Sequence, residues 1–239
     1  MVAALEREVR PLVKEWRVSE KEHAGRRFRF FICTGEKADE VVLVCGGVGA
    51  GPARRAAEAV IAIYAPTVVY SVGFAGGLVS ALKVGDVVQP SQVIDAGDGS
   101  RLELVGGQGV LVSFGAVASP AQKAKLKESF GAQLVDMEAA AVARAAQARG
   151  VEFAAVKAIS DEYDFTFPEI DRFIDAEGQL QQGRLAAYAA LRPWLWPKLR
   201  RLAIHSNLAS RALCDWLAAS LNRMIECAPE PKAEATQRP

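Results

Sequence analysis

Four places in this 239-residue chain put acidic or glycine-rich segments where a strand is expected to end: Glu8, Gly73-Phe74-Ala75-Gly76-Gly77, Asp136-Met137-Glu138 and Ser160-Asp161. In a predominantly parallel α/β sheet, ligands sit beyond the carboxyl ends of the strands, so these residues are the first candidates for proton transfer and ligand contact. Each also has a plain structural explanation. Glu8 and Glu138 suit the first turn of a helix, where the macrodipole favours an acid. Asp161 suits a cap after Ile159, and the glycines suit a tight strand exit. Other chemistries lack their residues. His23 and His205 are isolated, and Cys33, Cys45, Cys214 and Cys227 are irregularly spaced with no C-x-x-C, so neither a metal site nor a disulfide framework is signalled. Gly46-Gly47-Val48-Gly49-Ala50-Gly51 lacks the Lys-Ser/Thr of a phosphate-binding loop and the full dinucleotide spacing, so no nucleotide cofactor is expected.

Apolar β-branched runs alternate with Ala-rich stretches along the chain, the pattern of a sheet covered by helices. Val41 to Cys45 reads as a buried strand, followed by the glycine turn and a helix opened by Pro52. Thr67 to Val72 reads as a strand closed by the Gly73 to Gly77 turn; Val84 to Val88 and Gly109 to Phe114 read as two more. A helix is expected from Lys123 and another over Met137 to Arg149, stopped by Gly150, before a strand Phe153 to Ile159. The expected fold is a three-layer α/β/α architecture with a central mixed, largely parallel twisted sheet. Residues 1–182 would form the catalytic domain, 183–227 a helical extension of it interrupted at Pro193 and Pro197, and 228–239 a disordered tail.

The composition is ordinary for a globular chain: 51% hydrophobic, 24% charged, net charge +1. That balance gives no case for a nucleic-acid partner. The N-terminus carries acids within its first ten residues and lacks the long apolar run of a secretory signal, so a cytoplasmic setting is the default expectation.

Taken together, the segments Val135-Asp136-Met137-Glu138-Ala139-Ala140-Ala141-Val142-Ala143 and Val156-Lys157-Ala158-Ile159-Ser160-Asp161 resemble the nucleoside phosphorylase/nucleosidase superfamily, most closely the 5′-methylthioadenosine/S-adenosylhomocysteine nucleosidases. Ala4-Leu5-Glu6-Arg7-Glu8-Val9, Gly47-Val48-Gly49, Gly73 to Leu78 and Leu82 to Val88 support it in the right order over roughly residues 1 to 180. The resemblance implies hydrolysis of the N-glycosidic bond of a 5′-substituted adenine nucleoside through an oxocarbenium-like transition state. It assigns Asp161 as the acid that protonates N7, on a carboxyl kept protonated by its site. It assigns Glu8 as the carboxylate that orients and deprotonates water. It assigns Glu138 as the clamp on the ribose hydroxyls, with Met137 against the ribose face. Phe74, Ala75 and Gly76 would line the water site, Val117, Ala118 and Ser160 the purine, and Phe167 the 5′ substituent. A homo-oligomer is also implied, commonly a dimer.

Phosphorolysis is the alternative reaction. The Gly-Asp-Pro-x-Arg stretch of phosphorolytic members is absent, and a carboxylate at Glu8 would repel phosphate, but Arg54 and Arg55 keep that reading open. A non-catalytic nucleoside-binding relative is a third. Three departures bear on substrate identity: Phe74 stands where the nucleosidases resemble Gly-Ser-Ala-Gly-Gly, Lys157 replaces an arginine, and Val117 stands near where an aromatic would stack on adenine. Between Gly183 and Arg223 lie seven cations against the single acid Asp215, together with Trp194, Trp196 and Trp216. This region reads either as a helical cover or as an element that seats on an anionic membrane through residues 184–223, on the inner face. The second reading looks like the hopanoid-associated nucleosidases, which release adenine from an adenosyl-hopane.

Overall fold

The computed structural model describes residues 1–35, 40–167, 173, 178, 181, 188 and 192–226, the last stretch with side chains to Leu221. The expected tail from Ala228, and most of 183–191, lie outside the described residues. Eleven strands form a single mixed sheet: β1(Val2–Ala3), β2(Arg17–His23), β3(Arg26–Thr34), β4(Glu40–Cys45), β5(Val68–Gly77), β6(Val87–Val88), β7(Gln92–Asp95), β8(Arg101–Glu103), β9(Val110–Ser113), β10(Leu134–Asp136) and β11(Glu152–Asp161). The order is β2-β3-β4-β1-β5-β10-β9-β7-β8, with β11 and then β6 branching from β5. Ladders β4-β1-β5, β5-β11 and β10-β9-β7 are parallel, whereas β2-β3-β4, β7-β8, β6-β11 and β5-β10 are antiparallel.

Side-chain alternation on the central strands separates two layers. Val2, Phe30, Ile32, Val42 and Val44 pack with the alanine-rich faces of α2(Ala50–Tyr64) and α4(Ala139–Gln147). Their neighbours Ala3, Phe31 and Leu43 face the opposite way, against Val9 and Val13 of α1(Glu6–Val13) and Ala209, Leu213 and Leu217 of α5(Trp196–Glu226). Successive strand residues point to opposite faces, so both layers are buried by near-continuous apolar runs. A third cluster under α3(Pro120–Phe130) joins Leu126 to Ile94, Val112 and Val135. A capping box between Ser119 and Gln122, followed by Pro120, starts α3.

The expected strands and helices are present, although the strand expected over Val84 to Val88 spans only Val87–Val88, Val84 and Gly85 lying in a turn, and two further corrections apply. Gly73 to Gly77 is not a turn closing a strand. It is the second half of β5, paired residue for residue with β11 from Gly73↔Lys157 to Ala75↔Ile159. Gly73 pairs with β11, Gly76 with both β11 and β10, and Gly77 with β10, so these glycines lie in ladders rather than in a turn. Pro197 does not interrupt the C-terminal region either: it lies in the first turn of the 31-residue α5, where its missing N–H costs no bond, and the break falls only at the 3-10 turn Pro193–Leu195. Trp216 packs on the core, whereas Trp194 and Trp196 are exposed. No described helix is long and apolar enough to cross a membrane.

Candidate active site

The registers place one gap in the sheet. Along one edge of β5, β1 pairs in parallel only at Val2↔Ser71. Antiparallel β10 pairs on Gly77 and Gly76. The ends of β1 and β10 therefore approach each other from opposite directions over Gly73 to Ala75, while β11 on the other edge ends at Asp161. Such a point, where the strand order switches, is where open α/β sheets bind ligands.

The pocket at this gap is lined by Ala4, Leu5, Arg7, Glu8, Val48, Phe74, Ala75, Gly76, Ala116, Val117, Ala118, Val135, Asp136, Met137, Glu138, Ser160, Asp161, Phe167 and Leu202. The eleven residues that the resemblance assigned to the site all lie on it, although the three acids are contributed by α1, the β10–α4 junction and the end of β11. Arg54 and Arg55 do not line it; Arg54 instead faces Glu58 on the exposed side of α2 at 3.8 Å.

Glu8 is buried, and its Oε2 has no hydrogen-bond partner among the described residues. Burial pushes its pKa up to about 7 against the pull of Arg7 and Lys157. Its carboxylate lies over Gly73: a Cβ there would stand 2.6 Å from Oε2, and the φ of +148° is itself one that only glycine adopts readily. Glu138 Oε1 accepts from the Gly49 N–H at 2.7 Å, which ties this carboxyl to the glycine turn before α2. Burial and the charge of Asp136 push Glu138 up to about 7 as well, opposed by Lys157 and the Gly49 N–H. Asp161 accepts from Ser160 Oγ at 2.7 Å on Oδ1 and from Lys123 Nζ on Oδ2.

Beneath the acids lies a network that sequence reasoning missed. Lys157 Nζ stands 2.8 Å from Asp136 Oδ2 and donates to Ser71 Oγ at 3.0 Å, with both ionic partners buried. Asp136 also accepts from Ser113 Oγ at 2.6 Å and the Ala139 N–H at 2.9 Å. Although burial works to discharge Lys157, the carboxylates of Asp136, Glu138 and Glu8 keep its ammonium above its ordinary value. Thus one buried cation offsets three acids. Lys123 is the second surprise: the expectation was a carboxyl kept protonated by its site, and Asp161 is paired with a buried ammonium. In the sequence Lys123 looked like any charge on a polar helix, beside Lys125 and Lys127, and nothing signalled that it turns inward.

The far wall is braced by α5. Phe167 meets Phe165 edge-on at 5.0 Å between ring centroids, and Phe165 in turn contacts His205 at 5.7 Å and the Arg201 guanidinium at 5.4 Å. Leu202 of the same helix lines the pocket. Ser210 Oγ donates to the Arg7 carbonyl at 3.2 Å, so α5 also holds the helix that carries Glu8.

The fold is thus a mixed α/β sheet with a carboxylate-lined pocket at its switch point. The family model of the phosphorylase superfamily matches residues 1–120 and 105–191, and the chain belongs to that superfamily. No curated protein matches it by sequence. Among solved structures, futalosine hydrolase of Helicobacter pylori is similar at 18% identity and a TM-score of 0.68, covering 93% of this chain and 96% of that one. The 5′-methylthioadenosine/S-adenosylhomocysteine nucleosidase of the same organism, solved with butyl-thio-DADMe-Immucillin-A, has a TM-score of 0.69 at 18% identity over the same shares. That of Colwellia psychrerythraea, in complex with adenine, has 0.57 at 24% identity over 67% of this chain and 81% of its own.

Proposed function

We propose that this protein hydrolyses the N-glycosidic bond of a 5′-substituted adenine nucleoside and releases adenine. The observation that carries the reading is the convergence of Glu8, Glu138 and Asp161 on one pocket from three separate elements. In this reading Glu138, already fixed by Gly49, takes the ribose hydroxyls, and its grip strengthens as positive charge grows on the sugar. Glu8, with one oxygen unpartnered, accepts the proton of the attacking water, and Asp161 delivers a proton to N7 of the leaving base. Similar structures are nucleosidases solved with adenine or with butyl-thio-DADMe-Immucillin-A, which supports the same class of substrate. Phosphorolysis is less favoured because Glu8 would repel a phosphate dianion from the sugar face. The test is base release from methylthioadenosine, adenosine, futalosine and a 5′-alkyl adenosine, each with and without phosphate. Phosphate-independent release of adenine is expected; release only with phosphate, or none from any substrate, overturns the assignment.

The 5′ group is proposed to be apolar and to extend past Phe167 and Leu202, with a lipid such as a hopane as one candidate. What supports this is the surface beyond the pocket, where Trp194, Trp196, Ile204 and Leu208 are exposed among Lys198, Arg200 and Arg201. Tryptophan with cations at a surface suits an anionic membrane interface. Co-sedimentation with phosphatidylglycerol vesicles is expected for the whole chain and should fall at least tenfold for Trp194→Ala/Trp196→Ala; equal binding by both discards the membrane contact. The catalytic domain is proposed to include α5 rather than to end before it, and the active form to be a homo-oligomer, testable by light scattering.

A further inference from the structure

Asp161 is an acceptor on both oxygens, from Ser160 on one and from the Lys123 ammonium on the other. Lys123 is 2% exposed and Asp161 3%, and the ammonium's other partner is the Glu162 carbonyl at 2.6 Å. Lys123 does not line the pocket; it reaches the pocket only through Asp161. Gly76 makes the meeting possible, since a Cβ there would stand 2.8 Å from Asp161 Oδ2 and 3.2 Å from Lys123 Nζ. A carboxylate that accepts on both oxygens has no proton of its own to give. Its nearest proton is on the ammonium in contact with it.

We propose that Lys123 is a positioning residue that supplies, through Asp161, the proton delivered to the leaving base. The proposal rests on the hydrolytic reading above. As the C1′–N9 bond breaks, its electron pair passes to the purine. One proton moves from Nζ to Asp161 Oδ2, and Asp161 passes that proton on to N7, leaving a neutral amine and a carboxylate. Water oxygen bonds to C1′ and its proton passes to Glu8. The site resets when Glu8 loses that proton to solvent and Lys123 takes one up.

Among the described residues Lys123 is the one cation within ion-pair distance of Asp161. The other charged groups on the surrounding elements are Lys125, Lys127 and Glu128 on α3, Lys157, which is held by Asp136, and Glu162, which faces Lys83 at 3.7 Å. Arg7, Glu8, Asp136 and Glu138 stand around the pocket.

The experiment compares the wild-type chain with Lys123→Met and Lys123→Arg, on adenosine and on a 4-nitrophenyl riboside, whose leaving group needs no proton. Lys123→Met is expected to lose about 100-fold on adenosine, the usual scale of general acid catalysis. It should lose only a few-fold on the nitrophenyl riboside. Lys123→Arg keeps the charge but cannot release a proton, so it should not restore adenosine cleavage. Wild-type rate in Lys123→Arg, or an equal loss by Lys123→Met on both substrates, overturns the proposal while leaving the hydrolytic reading intact. Should Lys123→Met not fold, Lys123→Arg decides by the same criteria. Absence of adenine release by the wild type overturns both.

Discussion

Glu8 works against two demands, since a base must be ionised and burial opposes ionisation. With its pKa pushed up to about 7, it is half protonated at neutral pH, and its basic form grows as pH rises. On the proposed reaction, kcat/KM climbs through about pH 7 in the wild type, and Glu8→Gln removes that limb and most of the turnover, measurable by adenine release across pH 5 to 9. Asp161→Asn should still bind adenine, because shape is retained, while turnover falls by roughly 10² to 10⁴; near-normal turnover would remove Asp161 from the chemistry. Lys157 belongs to the same scale. Lys157→Met leaves Asp136 buried without its cation and should cost about 3–5 kcal/mol in denaturant unfolding, whereas a loss under 1 kcal/mol would show that the ion pair is not needed.

Among the elements, β5 lines the pocket with Phe74, Ala75 and Gly76, and α5 braces its wall. Gly73 lets the carboxylate of Glu8 lie against the strand, so Gly73→Ala meets both the φ of +148° and Glu8 Oε2 at 2.6 Å. The substitution should lower stability by about 1–3 kcal/mol and activity with it. Helix α5 is a structural layer: Leu213 is fully buried, and Leu213→Ala should cost about 2–5 kcal/mol by thermal or urea unfolding. The elements legible in the sequence were those with a buried apolar period, such as β4, α2, α4 and β11. The hairpin β2–β3 was not. Its first strand, RVSEKEH, buries none of its residues, so no alternation marks it, and its place is fixed by pairing with β3 instead. The Gly73 to Gly77 segment misled for a related reason: glycine reads as punctuation locally, whereas here it serves close approach between a strand and two carboxylates.

On the scale of the whole molecule, gathering three acids around one cavity has a pH signature. Glu8 and Glu138 hold their protons more tightly folded than unfolded, so their cost to stability is absent below about 4.5, grows as pH rises, and is complete above about 7. Glu8→Gln should accordingly melt at nearly the wild-type temperature at pH 4.5 and several degrees above it at pH 8; the same difference at both would show that Glu8 is not strained by its burial. From the sequence alone came the α/β class, the superfamily resemblance and the identity of the acids, because alternating apolar runs and short contiguous motifs are local properties. Only the tertiary structure decided that β1 and β10 meet head-on along β5, that α5 braces the pocket, and that Lys123 and Lys157 turn inward. A lysine's burial depends on which carboxylates distant strands bring within reach, and no local pattern in the chain records that.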